Sequence, residues 1–117
     1  MGLSTHVLDT MHGCPAAGMT VELYTLQGSV AVLVKRFDLN GDGRNPDGPL
    51  YDNAGLKKGM YRLVFDVANY FRGRGVQLAE PAFLGKVTLD FGVAQPEQPY
   101  HVPLLVSPWS YSTYRGS

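Results

Sequence analysis

The sequence predicts an all-β fold, a small sandwich of short strands. Runs of alternating apolar and polar residues recur along the chain with the period of two that marks a half-buried strand. The 14 glycines and eight prolines stand mostly between these runs, where turns between strands belong. A chain of 117 residues can bury roughly two-thirds of its unfolded surface, enough for one core, so we expect a single domain over residues 1–117.

The first half of the chain carries three predicted strands. Leu3–Leu8 is rich in strand-forming residues and starts close to the N-terminus. The turn Met11–Pro15 separates it from Met19–Leu26, which alternates apolar and polar residues. Gln27–Ser29 contains a glycine and is a predicted hairpin connection, so Val30–Phe37 continues as the next strand.

The second half carries further predicted strands and one short helix. The strand pattern places the strands at Met60–Val67, Ala82–Phe91, Tyr100–Val106 and Ser110–Tyr114. The segment Val67–Arg72 can form one or two helical turns, ended by Gly73 and Gly75. We find no internal repeat, linker or low-complexity tract.

Composition and charge argue against nucleic-acid and membrane partners. Ten basic and ten acidic residues cancel, so no net charge draws the chain to phosphate or to an anionic surface. The longest apolar run, Val30–Val34, is far shorter than the roughly 20 residues of a membrane span. The N-terminal residues show no signal pattern and Cys14 is the only cysteine, so we expect a cytoplasmic protein without an intrachain disulfide.

Two histidines fall inside predicted strands. In an extended strand His6 shares one face with Ser4, and His101 shares one face with Pro103. Taken alone, each is typical of a partly exposed strand histidine that water satisfies. His12 lies in a predicted turn and is less informative still.

The loop over residues 38–48 invites a calcium interpretation. Its opening, Asp38–Asp42, matches the start of an EF-hand loop. The match then fails, because Pro49 stands where the bidentate glutamate belongs and the flanks are not helices. We interpret the segment as a glycine-rich inter-strand loop that presents Arg44. The three histidines and Cys14 also lack the pair spacing of a structural zinc site, so we predict no metal site.

The C-terminal segment ends on the tetrapeptide Tyr114-Arg115-Gly116-Ser117. It offers a phenol, a guanidinium, a hydroxyl and a terminal carboxylate within four positions. Termini are usually loose and replaceable, so this chemistry suggests a segment docked into a pocket. The residues alone therefore indicate a small β-sandwich with a candidate His/Arg/Tyr site.

Several segments together resemble the 5-hydroxyisourate hydrolases, the transthyretin-related enzymes of urate breakdown. The segments are Leu3–Asp9, Gly43-Arg44, Tyr61–Asp66, Tyr100–Leu105 and Tyr111–Ser117. The similarity spans nearly the whole chain, and the final tetrapeptide is its most specific part, because the related hormone carriers lack both the tetrapeptide and the histidine pair.

The resemblance implies a transthyretin-like fold, a two-sheet antiparallel β-sandwich with one short helix. It implies a homotetramer of two dimers with sites in a channel between dimers. The implied reaction converts 5-hydroxyisourate to 2-oxo-4-hydroxy-4-carboxy-5-ureidoimidazoline in urate degradation, a part of purine metabolism. By motif the catalytic residues are His6, Arg44, His101, Tyr114 and Ser117, of which His6, Arg44 and Tyr114 also bind substrate, with Arg115 and Gly116 shaping the end.

The implied chemistry is attack of water on a ring carbonyl, which needs a base, donors for the oxyanion and an acid for the leaving nitrogen. Histidine can serve as base or acid near neutral pH. The sequence leaves open whether His6 or His101 takes the proton from water. Arg44 offers a planar fork for the carbonyl edge of the ring. No cofactor or metal is implied.

Two other classes of function stay open at this point. The first is a carrier of small aromatic ligands in the same channel, as in transthyretin. A carrier needs an apolar channel, whereas His6, Arg44 and His101 would make this one polar. The second is a sandwich that only binds protein partners.

Overall fold

The computed structural model describes residues 2–52 and 54–116, and over these ranges it contains eight strands and one helix. The strands are β1 (Leu3–Asp9), β2 (Cys14–Pro15), β3 (Thr20–Gln27), β4 (Val30–Asp38), β5 (Gly59–Phe65), β6 (Val87–Val93), β7 (Tyr100–Val106) and β8 (Tyr111–Thr113), and the helix is α1 (Val67–Gly73). The predicted fold class, an all-β two-sheet sandwich with one short helix, is confirmed.

The strands of the described ranges form two four-stranded sheets. Sheet 1 has the order β2-β1-β7-β8, and sheet 2 has the order β4-β3-β5-β6. The pairs are antiparallel except for β1 and β7, which run parallel from Leu3 opposite Tyr100 to Asp9 opposite Val106. Sheet 1 is therefore mixed, and the expected antiparallel pairing holds for every pair except β1 and β7, which come from opposite ends of the chain.

The core lies between the sheets and follows from the alternation of each strand. Along β1 the odd-numbered residues 3–9 are buried and the even-numbered ones are partly exposed. Its partner β7 buries Tyr100, Val102 and Leu104 and leaves His101 partly exposed. Sheet 2 contributes fully buried side chains such as Leu63 and Phe65. The outer face of sheet 1 is thus free to carry polar chemistry.

The strand predicted at Met60–Val67 ends at Phe65, and Val67 begins α1. Two further details of the predicted strands are wrong because strand bounds depend on pairing partners. The strand predicted at Ala82–Phe91 begins only at Val87, because its partner β5 ends at Phe65, opposite Val87. The segment before β6 is irregular. Its Gly85 carbonyl accepts a hydrogen bond from the backbone N–H of Ala68 in α1 (2.9 Å). The predicted turn Met11–Pro15 contains the short strand β2, whose two residues pair with the end of β1.

Helix α1 confirms the predicted helical turns and packs onto the core. It buries Val67, Ala68, Tyr70 and Phe71. Over the described residues, no helix is both long and apolar enough to cross a membrane.

A buried carboxylate ties this helix to sheet 1. Asp9, at the end of β1, is fully buried and accepts hydrogen bonds from the Tyr70 hydroxyl (2.7 Å), the His12 backbone N–H (2.9 Å) and His12 Nδ1 (2.6 Å). Arg74 Nη1 donates to the Tyr70 hydroxyl (3.2 Å) and lies 3.8 Å from the carboxylate. Burial, followed by the bond to Asp9, raises the pKa of Tyr70 to about 12, so this hydroxyl stays protonated as a donor.

We expect Asp9→Asn to lower the free energy of unfolding by about 3 kcal/mol at pH 7, because an amide nitrogen would face donors. Burial alone would raise the pKa of Asp9, but the bonds from Tyr70 and His12 outweigh it and leave the pKa below its ordinary value. The stabilisation is therefore present above the unfolded pKa of about 3.9 and is lost as pH falls through the folded pKa.

Urea unfolding of the native protein and of Asp9→Asn, as a function of pH, measures the difference between their free energies of unfolding. The control is Asp47→Asn, since Asp47 lies in an exposed part of the loop. A gap in stability that persists unchanged at low pH would contradict the role given to the Asp9 charge.

Candidate active site

The parallel ladder of β1 and β7 brings the two strand histidines to the same outer face of sheet 1. Ser4 stands opposite His101, and His6 stands opposite Pro103, two positions further along. Such a diagonal pair lies roughly 8 Å apart between Cα atoms, from the spacing and rise of strands. Both histidines are only partly exposed. The sequence predicted the face of each histidine, and the structure shows that the faces coincide.

His101 is held on both sides. The Ser4 hydroxyl oxygen lies 2.9 Å from His101 Nδ1. On the other side the backbone of Gly116 donates to the His101 carbonyl (2.7 Å) and accepts from its N–H (3.2 Å). A Cβ on Gly116 would lie 3.1 Å from both Cβ and Cδ2 of His101, so the absence of a side chain lets the terminal segment run close beneath the imidazole.

Arg44 lies opposite His6 because its loop is folded against β1. Gly43 has φ +74° and accepts a hydrogen bond from the Val7 N–H (2.9 Å), and a Cβ there would lie 2.5 Å from the Val7 carbonyl oxygen. The Asn40 side-chain oxygen accepts from the backbone N–H of Asp42 (2.9 Å) and of Arg44 (3.1 Å). This loop places Arg44 in a β-bridge with His6.

One of the loop oxygens that suggested calcium, Asn40 Oδ1, has a structural role. Asn40 organises the turn by accepting backbone N–H groups, which is the ordinary behaviour of an Asx turn. A cleft of about 380 Å³ lies beside this turn and is lined by Ser4, Arg44 and Asn45, among others. The interpretation of the segment as an inter-strand loop is confirmed, and its backbone sets Arg44 opposite His6.

The electrostatics of the site favour neutral imidazoles. Burial, and then the positive charge of Arg44, lower the pKa of His6, while a hydrogen bond with the Asp42 backbone opposes them. Burial, then Arg44, then His6 lower the pKa of His101. A neutral imidazole keeps a lone pair that can accept a proton, so both rings are suited to act as bases near pH 7.

Arg115 anchors the terminal segment on the other side of His101. Its Nη2 donates to Gln98 Oε1 and to the Pro99 carbonyl, both at 3.1 Å, and its Cζ lies 4.1 Å from the centroid of the Tyr100 ring. These contacts fix the chain just before Gly116, and the shaping role of the two residues stays a prediction.

Tyr114, a residue of the predicted site, makes no hydrogen bond to the other site residues that the structure describes. Tyr114 stands two residues before Gly116 and is 59% exposed, and it also borders the cleft between β6 and β7. Ser117 lies outside the described residues. The third histidine, His12, belongs to the Asp9 cluster instead. Only His6, Arg44 and His101 form one group within the described part of the chain.

Sequence reasoning missed the contributions of Ser4 and Asn40. Ser4 was visible as a neighbour of His6 on one strand face, but its contact with His101 follows only from the parallel register. Asn40 carried a signal of its own, since asparagine before a Gly-Asp-Gly run is typical of a tight turn.

Comparison with known proteins agrees with this geometry. A sequence model of the HIUase/Transthyretin family matches residues 3–116. The chain belongs to this family. A relative from Pseudomonas aeruginosa, named 5-hydroxyisourate hydrolase, is 52% identical over 115 residues, which cover 98% of this chain and 90% of the relative. The family resemblance predicted from the sequence is confirmed.

Solved structures carry the same fold. A crystal structure of (S)-allantoin synthase superposes with a TM-score of 0.92 at 45% identity and covers 99% of this chain, which spans only 43% of that longer chain. Sea bream transthyretin in complex with thyroxine superposes with a TM-score of 0.84 at 24% identity, covering 99% of this chain and 95% of its own. The transthyretin likeness shows the fold alone, whereas the Pseudomonas relative places the chain among the hydrolases of the family.

We expect Arg44→Gln to raise the pKa of both His6 and His101, because the cation that disfavours each imidazolium is removed. Histidine ring NMR signals, followed as a function of pH, measure the two values. The control is Arg36→Gln, which removes an exposed arginine paired with Glu22 on sheet 2. Unchanged histidine titrations in Arg44→Gln would show that Arg44 does not act on this pair.

Proposed function

We propose that the protein hydrolyses 5-hydroxyisourate to 2-oxo-4-hydroxy-4-carboxy-5-ureidoimidazoline in urate degradation. The single observation that carries the proposal is the grouping of His6, His101 and Arg44 on the outer face of sheet 1. The name of the Pseudomonas relative supports the choice of substrate. The reaction opens the six-membered ring by forming a bond from water oxygen to a ring carbonyl carbon and breaking the bond from that carbon to nitrogen.

His6 is the proposed base. Burial, and then the positive charge of Arg44, lower its pKa, so the ring is neutral near pH 7 and one of its two nitrogens has a lone pair. That lone pair takes the proton from the attacking water. The resulting imidazolium then supplies a proton to the leaving nitrogen.

His101 and Arg44 stabilise the oxyanion in this scheme. The lowered pKa of His101 keeps the ring neutral, so it can donate one N–H without carrying charge of its own. Arg44 adds a permanent positive charge and a planar set of donors, which suit a carbonyl oxygen that gains negative charge. The same cation that helps the oxyanion also keeps the two histidines neutral.

Tyr114 and Ser117 complete the proposed site from the terminal segment. The exposed hydroxyl of Tyr114, next to the Arg115 clamp, is available to hydrogen-bond the substrate. Ser117 is proposed to orient a histidine or the water. Both roles rest on the family motif.

We further propose a homotetramer in which the outer faces of sheet 1 from two dimers enclose the substrate. Support comes from the position of the histidine group on an open sheet face, since water exclusion strengthens the electrostatics of a site. Symmetric assembly brings copies of one surface together and can wall off such a face.

The direct test is an ultraviolet time course with freshly prepared 5-hydroxyisourate. We expect the purified protein to consume it well above the spontaneous rate, with no change on adding a chelator. Binding of small aromatic ligands without turnover would favour a carrier, and a chelator-sensitive rate would contradict the metal-free mechanism.

We expect His6→Ala and His101→Ala each to lower kcat by roughly 10²–10⁴-fold, and the double variant to cost about as much as either one. The reason is that the two rings act on the same transition state. His12→Asn is the matched control, because it changes the histidine that binds Asp9 and leaves the site intact. Full kcat in His101→Ala would remove that residue from the mechanism.

A further inference from the structure

The Ser4 hydroxyl makes a contact that the proposed mechanism has not used. Ser4 stands directly opposite His101 in the parallel ladder, and its Oγ lies 2.9 Å from His101 Nδ1. This is a hydrogen-bonding distance. The two residues are 97 positions apart, so spacing along the chain gives no sign of this contact.

The opposite edge of the same ring is also fixed. The backbone of Gly116 runs beneath His101, and a Cβ there would come within 3.1 Å of Cδ2. The ring is therefore held at Nδ1 by Ser4 and limited at Cδ2 by Gly116. Ser4 occupies Nδ1, so Nε2 is the ring nitrogen that we assign to the substrate.

The partner at His101 Nδ1 is a hydroxyl, which carries a hydrogen of its own and can donate it. A hydroxyl that donates to Nδ1 leaves the single hydrogen of a neutral ring on Nε2, because the tautomer is set by the bond at the other nitrogen.

We propose that Ser4 is a positioning residue that donates its hydroxyl hydrogen to His101 Nδ1 and so holds His101 as the tautomer with its hydrogen on Nε2. The Nε2–H can then donate to the oxyanion. The role rests on the proposed function, since it matters only if His101 donates in the reaction. The role assigned to Ser4 is to position the ring of His101, and His101 is the residue assigned to the oxyanion.

A matched pair of variants isolates the hydroxyl. Threonine and valine have nearly the same shape and both favour strands, so Ser4→Thr and Ser4→Val differ in the hydroxyl alone. We expect Ser4→Thr to keep kcat within about twofold and Ser4→Val to lose roughly tenfold in kcat with little change in KM, the size of one hydrogen bond. Ser4→Ala repeats the deletion without the added methyl groups, in case valine disturbs the strand.

A second readout does not depend on activity. Long-range proton–nitrogen NMR spectra show which ring nitrogen of His101 carries the hydrogen. We expect hydrogen on Nε2 and an acceptor-type Nδ1 in the native protein and in Ser4→Thr, and a shift toward mixed tautomers in Ser4→Val. His12, which contacts Asp9 and not Ser4, is the internal reference.

The two readouts separate the proposal from the function it rests on. Hydrogen on Nδ1 of His101 in the native protein, or equal kcat in Ser4→Thr and Ser4→Val, would overturn the role of Ser4. If the native protein failed to turn over 5-hydroxyisourate, the proposed function would fall and the role of Ser4 in catalysis with it, while the NMR spectra would still show whether Ser4 sets the tautomer.

Discussion

The parallel pairing of β1 with β7 is the interaction on which the rest of the site depends. It sets His6 and His101 on one face, puts Ser4 against His101, and leaves the odd-numbered residues of β1 in the core. A slip of one residue would turn every side chain of β1 to the other face. The register is therefore fixed by core packing, and the geometry of the candidate site follows from the same alternation that buries Leu3 and Val7.

The remaining parts of the site depend on glycines that let two other segments approach this ladder. Gly43 lets the loop approach β1, which delivers the Arg44 cation, and Gly116 lets the terminal segment pass beneath His101. The cation then has two effects with one origin. It disfavours imidazolium at His6 and His101, and it favours negative charge on a substrate oxygen. In this account the basicity of the site and its oxyanion binding depend on each other.

Local patterns predicted most of the fold, because alternation and glycine-containing turns are local properties. They placed β1, β3, β4, β7 and α1 close to their observed bounds. They failed where a boundary depends on a distant partner, as at Ala82, where β6 cannot begin before β5 gives it a neighbour. In the candidate site, too, local patterns were informative and contacts between distant segments were not predicted. Motif identified His6, Arg44 and His101, but the contact of Ser4 with His101 needed the register between opposite ends of the chain.

The central claim is that neutral His6 takes the proton from water under the influence of Arg44. The most direct measurement is kcat/KM for 5-hydroxyisourate as a function of pH, in the native protein and in Arg44→Gln. The account predicts a native acid limb with an apparent pKa below the ordinary histidine value of about 6.5, because the base must be unprotonated, and a higher pKa for that limb in Arg44→Gln. An acid limb at or above the ordinary histidine value, or one that Arg44→Gln does not move, would contradict it.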